Sequence, residues 1–244
     1  MRMITFIALS LSASVCAQLP DAKSIVQKVD DNMSASSRIF TSKMIIHNRR
    51  NTRTVESKTW SMGENKAYTE YLSPAREKGT KMLKLQDQLW IYSPETDRII
   101  QISGHMLRQS VMGSDMSYED MMEDPKLLNH YKAEIAGEES IAGRSCWIIS
   151  LAAFTPDVTY ERRKLWVDKE RMVPVKEEMY AKSGILLKKT ELSDFEKIQG
   201  RWYPKTILFK DMLKEGSGTE FVMEDIRFDV PIPDYIFSKA SLKQ

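Results

Sequence analysis

The sequence predicts a mainly β protein: a strongly curved antiparallel sheet forming an unclosed half-barrel of about eleven strands, with short helices covering its concave face. Three observations lead there. Most of the chain is a series of short alternating segments rich in β-branched and aromatic residues, each followed by a turn signal. Two of these runs are apolar on both faces, which calls for a covering layer. Only two stretches read as helical, far too few to cover a flat sheet of that width, so the sheet must bend around them.

The chain starts with Met1-Arg2-Met3, an apolar run from Ile4 to Ala13, and the small-residue site Val15-Cys16-Ala17. An apolar run of about ten residues is well short of the roughly 20 needed to span a bilayer. Residues 1–17 are therefore expected to be a cleaved signal peptide and residues 18–244 a single exported domain, with no integral membrane span. Cys16 lies where a lipidated cysteine would, but the β-branched Val15 stands where a small residue is wanted, so cleavage after Ala17 is the reading adopted.

The first helix is expected after Asp21, a capping residue, with Ile25, Val26, Val29 and Met33 on one stripe opposite Lys23, Gln27, Lys28 and Asp31. Phe40 to Asn48 alternates as a strand, placing Phe40, Ser42, Met44 and Ile46 on one face. Thr54 to Ser61, Lys66 to Leu72 and Lys81 to Leu85 follow. Leu89 to Tyr92 and Ile99 to Ile102, the runs apolar on both faces, form a hairpin across Ser93 to Arg98.

From Gly104 to Tyr131 the β rhythm stops. Ser117-Tyr118-Glu119-Asp120 has capping-box form, and one or two short helices are expected, interrupted by Pro125. Met106, Leu107, Met112, Met116, Met121 and Met122 fall in this segment, and flexible, polarizable side chains of this kind suit a lid that repacks around varied apolar ligands. Strands resume at Tyr131 to Glu138, Arg144 to Ala152, Thr159 to Asp168, Pro174 to Tyr180, Leu186 to Phe195, Pro204 to Met212 and Thr219 to Phe228. No Pro-, Gly- or Ser-rich linker and no fixed-period repeat divides them.

The chain has 36 Lys plus Arg against 34 Asp plus Glu, interspersed, and one arginine leaves with residues 1–17. Such a balance does not suit a nucleic-acid partner, which favours basic residues gathered on one face. Loss of Cys16 leaves Cys146 alone in a strand-like stretch, an inert buried thiol with no disulfide partner. Arg49-Arg50 with Arg53, and Glu161-Arg162-Arg163-Lys164, read as solvated faces. His47, His105 and His130 stand in unrelated contexts without metal-ligand spacing. There is no Gly-x-Ser-x-Gly elbow, phosphate loop or dinucleotide fingerprint, so the sequence offers no cofactor site and no catalytic set; a hydrolase lacks its nucleophile.

Three motifs, in this order, carry a resemblance: Lys78-Gly79-Thr80 leading into Met82-Leu83, Leu89-Trp90-Ile91-Tyr92-Ser93-Pro94, and Gly113-Ser114-Asp115-Met116-Ser117-Tyr118-Glu119-Asp120. With the leader and the short helix ahead of them, and Pro231-Ile232-Pro233-Asp234-Tyr235-Ile236-Phe237-Ser238 closing the chain, they resemble the outer membrane lipoprotein-sorting proteins of the LolA/LolB-like superfamily, in a larger, less characterised branch. The resemblance implies an unclosed β-barrel with helices plugging its mouth and a hydrophobic cavity for acyl chains. It implies a periplasmic carrier or chaperone for a lipidated protein or other acyl-chain ligand, with an inner-membrane transporter or an outer-membrane acceptor as partners. The alternative it leaves is an envelope sensor or regulatory module that contacts a protein. In the classical carrier an arginine on an early strand helps hold the lid closed, and no arginine here aligns with it from sequence. The residues expected to line the cavity and lid are Ile25, Val29, Met33, Met44, Ile46, Leu89, Ile91, Met106, Leu107, Met112, Met116, Met121 and Met122.

Overall fold

A computed structural model describes residues 20–49, 51–156 and 158–244. The expected signal peptide, residues 1–17 with Cys16, lies outside the described residues. Helix α1 spans Ala22–Met33 and begins as expected, with the Asp21 carboxylate accepting the Ser24 N–H at 2.8 Å. Strands β1 (Ser37–His47), β2 (Thr52–Met62), β3 (Lys66–Ser73), β4 (Lys81–Leu85), β5 (Gln88–Ser93) and β6 (Arg98–Ile102) follow as a meander. A covering segment comes next, with α2 at Tyr118–Met122 flanked by 3-10 turns at Gly104–Arg108, Val111–Gly113 and Leu127–Asn129.

The second half is again strands: β7 (Tyr131–Ile141), β8 (Arg144–Ala153), β9 (Arg162–Asp168), β10 (Pro174–Tyr180), β11 (Leu186–Ile198), β12 (Arg201–Asp211) and β13 (Gly218–Phe228). All the segments marked in the sequence are strands, and they number thirteen rather than about eleven. They form one open antiparallel sheet in the order β6-β5-β4-β3-β2-β1-β13-β12-β11-β10-β9-β8-β7, not closed between β6 and β7. Curvature, together with cover on both faces near the β6 end, lets an open sheet run wider than flat packing allows.

The period-two reading of β1 holds. Phe40, Ser42, Met44 and Ile46 are buried and their neighbours half-buried. Register then carries the concave face across the sheet: Met44 pairs with Val55 and Phe221, and Tyr71 faces Ser57. At one end α1 lays Ile25, Val26 and Val29 against Trp147, Ile149, Leu151, Leu165 and Val167. At the other end β5 is covered on both faces, as its doubly apolar pattern requires. Leu89 and Ile91 meet the covering segment, while Trp90 packs with Ile232, Phe237 and Leu242 of the C-terminal tail. Its hairpin partner β6 is the sheet's edge; it buries Ile102 but leaves Ile100 46 % exposed. Two glycines are obligatory where β12 turns into β13: a Cβ on Gly218 would lie 2.5 Å from the Phe209 carbonyl oxygen, and one on Gly216 would lie 2.7 Å from that of His47.

The interior is not apolar throughout. The concave face also buries Arg163, Lys188 and Thr190, and the covering segment brings Ser114 and Asp115 down onto it. Charges survive there because each finds a partner, which residue-type patterning alone does not show.

Candidate functional site

The segment from Ser103 to His130 crosses the concave face as a lid. It is tied down by groups on six strands. Arg53 on β2 donates to the Met112 carbonyl and pairs with Glu77 at 3.3 Å. Lys84 on β4 donates to the carbonyls of Met121 and Met122 at 3.3 and 3.4 Å. Asp115 accepts the Thr219 hydroxyl at 2.9 Å and the Asp211 N–H at 3.0 Å, so it anchors the lid to β12 and β13. Ser117 and Asp115 both satisfy backbone amides, Ser117 within its own helix and Asp115 across the molecule.

Asp120 is the hub of α2. It closes the capping box by accepting the Ser117 N–H at 2.6 Å and the Ser117 hydroxyl at 2.7 Å. The same carboxylate accepts from Tyr160 and from Lys188 on β11. Burial pushes the Asp120 carboxyl up, but the Lys188 ammonium and the Tyr160 hydroxyl outweigh it, and its pKa falls below the ordinary value. Burial and the adjacent carboxylate drive the Tyr160 hydroxyl far above its usual range, so it stays a donor.

A second hub is Arg163 on β9. Its guanidinium holds Glu123 of the lid and Glu177 of β10, the latter at 3.0 Å, and stacks between the rings of Tyr131 and Tyr160 at 5.0 and 5.2 Å. Burial opposes the charge, but Glu177 and Glu123 raise the arginine's pKa well above its ordinary value. Burial raises Glu123 despite its partner. The solvated-face reading of residues 161–164 therefore fails at Arg163, which is only 7 % exposed. Alternation places it on the concave face, where two carboxylates from other elements meet it.

Beside this hub a cleft of about 370 Å³ opens between α2 and the loop after β8, lined by Glu119, Met122, Glu123, His130, Tyr131 and Arg163 among others. His130 adds a pair with Asp124 at 3.3 Å. Among the described residues no group of three or more His, Cys, Asp or Glu is arranged to hold a metal ion. Cys146 is buried, with burial raising its thiol pKa.

Twelve of the thirteen expected lining residues fall into three packed groups. Leu89, Ile91, Met106, Leu107, Met121 and Met122 form a single cluster with Met82 and Ile102 where the lid meets the sheet. Met44 and Ile46 pack with Val55 and Tyr71, and Met112 leans on them. Ile25 and Val29 belong to the α1 contact with β7–β9, and Met33 bridges that cluster to the one around Phe40 and Tyr203. Met116 is half-buried and accepts the Val111 N–H through its carbonyl at 2.8 Å. Sequence reasoning missed the polar anchors. The one signal available was the concave-face position that strand alternation assigns to Arg53, Arg163 and Lys188.

The arrangement defines a class of fold, an open antiparallel half-barrel whose concave face is covered by a lid. A family model described as "-like: Uncharacterized protein" matches residues 63–244. Three solved structures share the architecture. A DUF1329 family protein from Desulfovibrio piger ATCC 29098 superposes with a TM-score of 0.83 at 25% identity, over 92% of this chain and 100% of its own. A putative outer membrane lipoprotein-sorting protein domain from Vibrio parahaemolyticus gives 0.77 at 23% identity, over 91% and 97%. A LolA superfamily protein from Nitrosomonas europaea gives 0.75 at 25% identity, over 91% and 100%. No curated protein matches the chain. The chain belongs to the family of that model, and its fold is that of the LolA superfamily.

Proposed function

We propose that residues 18–244 act in the periplasm as a single carrier or chaperone unit that shields the acyl chain of a lipidated protein, or another acyl-chain ligand, beneath the lid. The observation that carries this reading is the manner of closure. Six of the expected lining residues, Leu89 and Ile91 of β5 with Met106, Leu107, Met121 and Met122 of the lid itself, gather in one sulfur-rich cluster between lid and sheet, and the lid is held by a small number of polar anchors.

The energies allow opening. Burying an acyl chain of about sixteen carbons gains on the order of 10 kcal/mol at ~0.8 kcal/mol per CH₂. Lifting the lid rehydrates both members of each ion pair, so each costs less than the roughly 3–5 kcal/mol of stranding one member in the interior. The ligand also covers the apolar residues that the lid leaves, and methionines adapt to chains of different shape. Arg53, on the second strand, donates to the Met112 carbonyl and so holds the lid from an early strand. An inner-membrane transporter would load the cargo and an outer-membrane acceptor would receive it. The chemistry required is binding and release, with no catalytic group.

Protein purified from its native envelope should carry long-chain lipid or lipoprotein in mass spectrometry, and the emptied protein should bind a fluorescent long-chain fatty acid in competition with palmitate. Envelope-purified protein free of acyl ligand that also fails to bind the fluorescent probe would defeat the carrier reading.

A further inference from the structure

The antiparallel register puts the β1–β2, β3–β4, β10–β11 and β12–β13 turns on one rim of the half-barrel, side by side in the sheet order. Of the eight large hydrophobic residues that are exposed among the described ones, four lie on this stretch of rim: Leu72, Ile185, Met212 and Leu213. Leu213 is 73 % exposed and Ile185 57 %. The two tips touch, since the Met212 N–H donates to the Leu187 carbonyl at 2.9 Å.

The same four turns expose five basic side chains, Arg49, Arg76, Lys78, Lys182 and Lys214. The acids that accompany them are Glu77, which is turned inward to Arg53, Glu215, which faces Arg49 at 3.4 Å, and Asp211 at the end of β12, which lies 3.6 Å from the Lys214 ammonium. The neighbouring turns at 94–97 and 154–161 carry acids instead, so the basic sector is local. Apolar tips at this exposure have no structural use in water, and a ring of basic residues around them is the pattern of a surface that meets anionic headgroups while inserting shallow apolar groups.

We propose that this rim docks the protein on a bilayer containing anionic phospholipids, with Leu213 and Ile185 entering the acyl boundary and Arg76, Lys78 and Lys182 meeting lipid phosphates. Neither kind of contact is strong alone, and the two together give stable but reversible binding. Lys214 ties the rim to the lid: its ammonium donates to the Ser114 carbonyl at 2.8 Å and to Ser110. The lid is thus anchored at the edge that meets the membrane. The inference goes beyond the carrier reading and does not depend on it.

Flotation with vesicles of phosphatidylglycerol and phosphatidylethanolamine at low salt should carry the wild-type protein upward, and vesicles of phosphatidylcholine alone should not. The double variant Ile185→Asp/Leu213→Asp should lose at least about tenfold in vesicle affinity, and Arg76→Glu/Lys78→Glu should lose a similar factor and the dependence on salt. All four positions are exposed, so circular dichroism and fatty-acid binding in solution should match the wild type. Absence of flotation with phosphatidylglycerol vesicles, equal binding to phosphatidylcholine alone, or unchanged binding by either folded variant overturns the proposal. Fatty-acid binding is read in a separate tube, so loss of one function does not obscure the other.

Discussion

Asp30 carries an unusual load for one carboxylate. It is 3 % exposed on α1 and accepts the N–H groups of Leu127 at 3.2 Å and Leu128 at 3.3 Å. Burial, opposed by these two amides, pushes its pKa up to about 6 from 3.8. The sign follows: between those two values the folded state holds a proton that the unfolded state has released, so this group's contribution to stability falls as pH rises from about 4 to about 6. A shift of that size corresponds to about 3 kcal/mol. In Asp30→Asn the group no longer titrates. Urea unfolding of both proteins at pH 4 and pH 7 should show the variant gaining on the wild type by up to that amount across the interval, and a constant difference would rule the account out. Asp120 works in the opposite direction. Its lowered pKa adds stability that is present at neutral pH and is lost only as pH falls below the ordinary carboxylate value.

The five-residue α2 is too short to stand by itself, since isolated helices below about 12–15 residues are marginal in water. Its stability comes from the capping box and from contacts outside the helix, and one carboxylate, Asp120, supplies part of both. Lid order and sheet contact are therefore coupled through a single side chain. Ser117→Ala removes the other half of the capping box and should cost about 1 kcal/mol. The effect belongs to the element, so amide hydrogen exchange should speed up in residues 110–124 well before it changes in β1, β13 or β12. Uniform acceleration across the sheet would show instead that the lid opens only with global unfolding.

Three distant parts of the molecule meet at Arg163: the lid through Glu123, the sheet through Glu177, and the aromatic pair Tyr131 and Tyr160. The side chain is 8 % exposed, so Arg163→Met strands two carboxylates that are themselves largely withdrawn from water, Glu123 at 20 % and Glu177 at 16 % exposure. The expected loss is roughly 3–5 kcal/mol, which for a protein of this size lowers the thermal midpoint by on the order of 10 °C. Arg163→Lys should recover little, because a point ammonium cannot serve two carboxylates and two rings as a planar fork does. A midpoint within two or three degrees of wild type for the methionine variant would demote Arg163 from hub to bystander. The architecture around it explains why an open sheet holds together: α1 closes one end of the concave face, the lid closes the other, and the C-terminal tail covers the back of β3–β5.

Much of this frame was legible in the chain. Period-two alternation placed Met44 and Ile46 on the buried face of β1, the doubly apolar run Leu89–Tyr92 announced a strand covered on both sides, and Ser117 with Asp120 marked the start of α2. These are local properties, set by side-chain periodicity and by groups within a few residues of one another. The polar closure was not legible. Lys188 lies 68 residues from Asp120 and Arg163 lies 40 from Glu123, and nothing in either neighbourhood separates a solvated charge from a buried one. What the sequence by itself determined was which segments become strands and which way their apolar residues face. Only the tertiary structure decided which charges leave water, because desolvating a charge is tolerable solely where a partner from another element arrives within hydrogen-bonding distance, and that meeting depends on how the whole sheet curves.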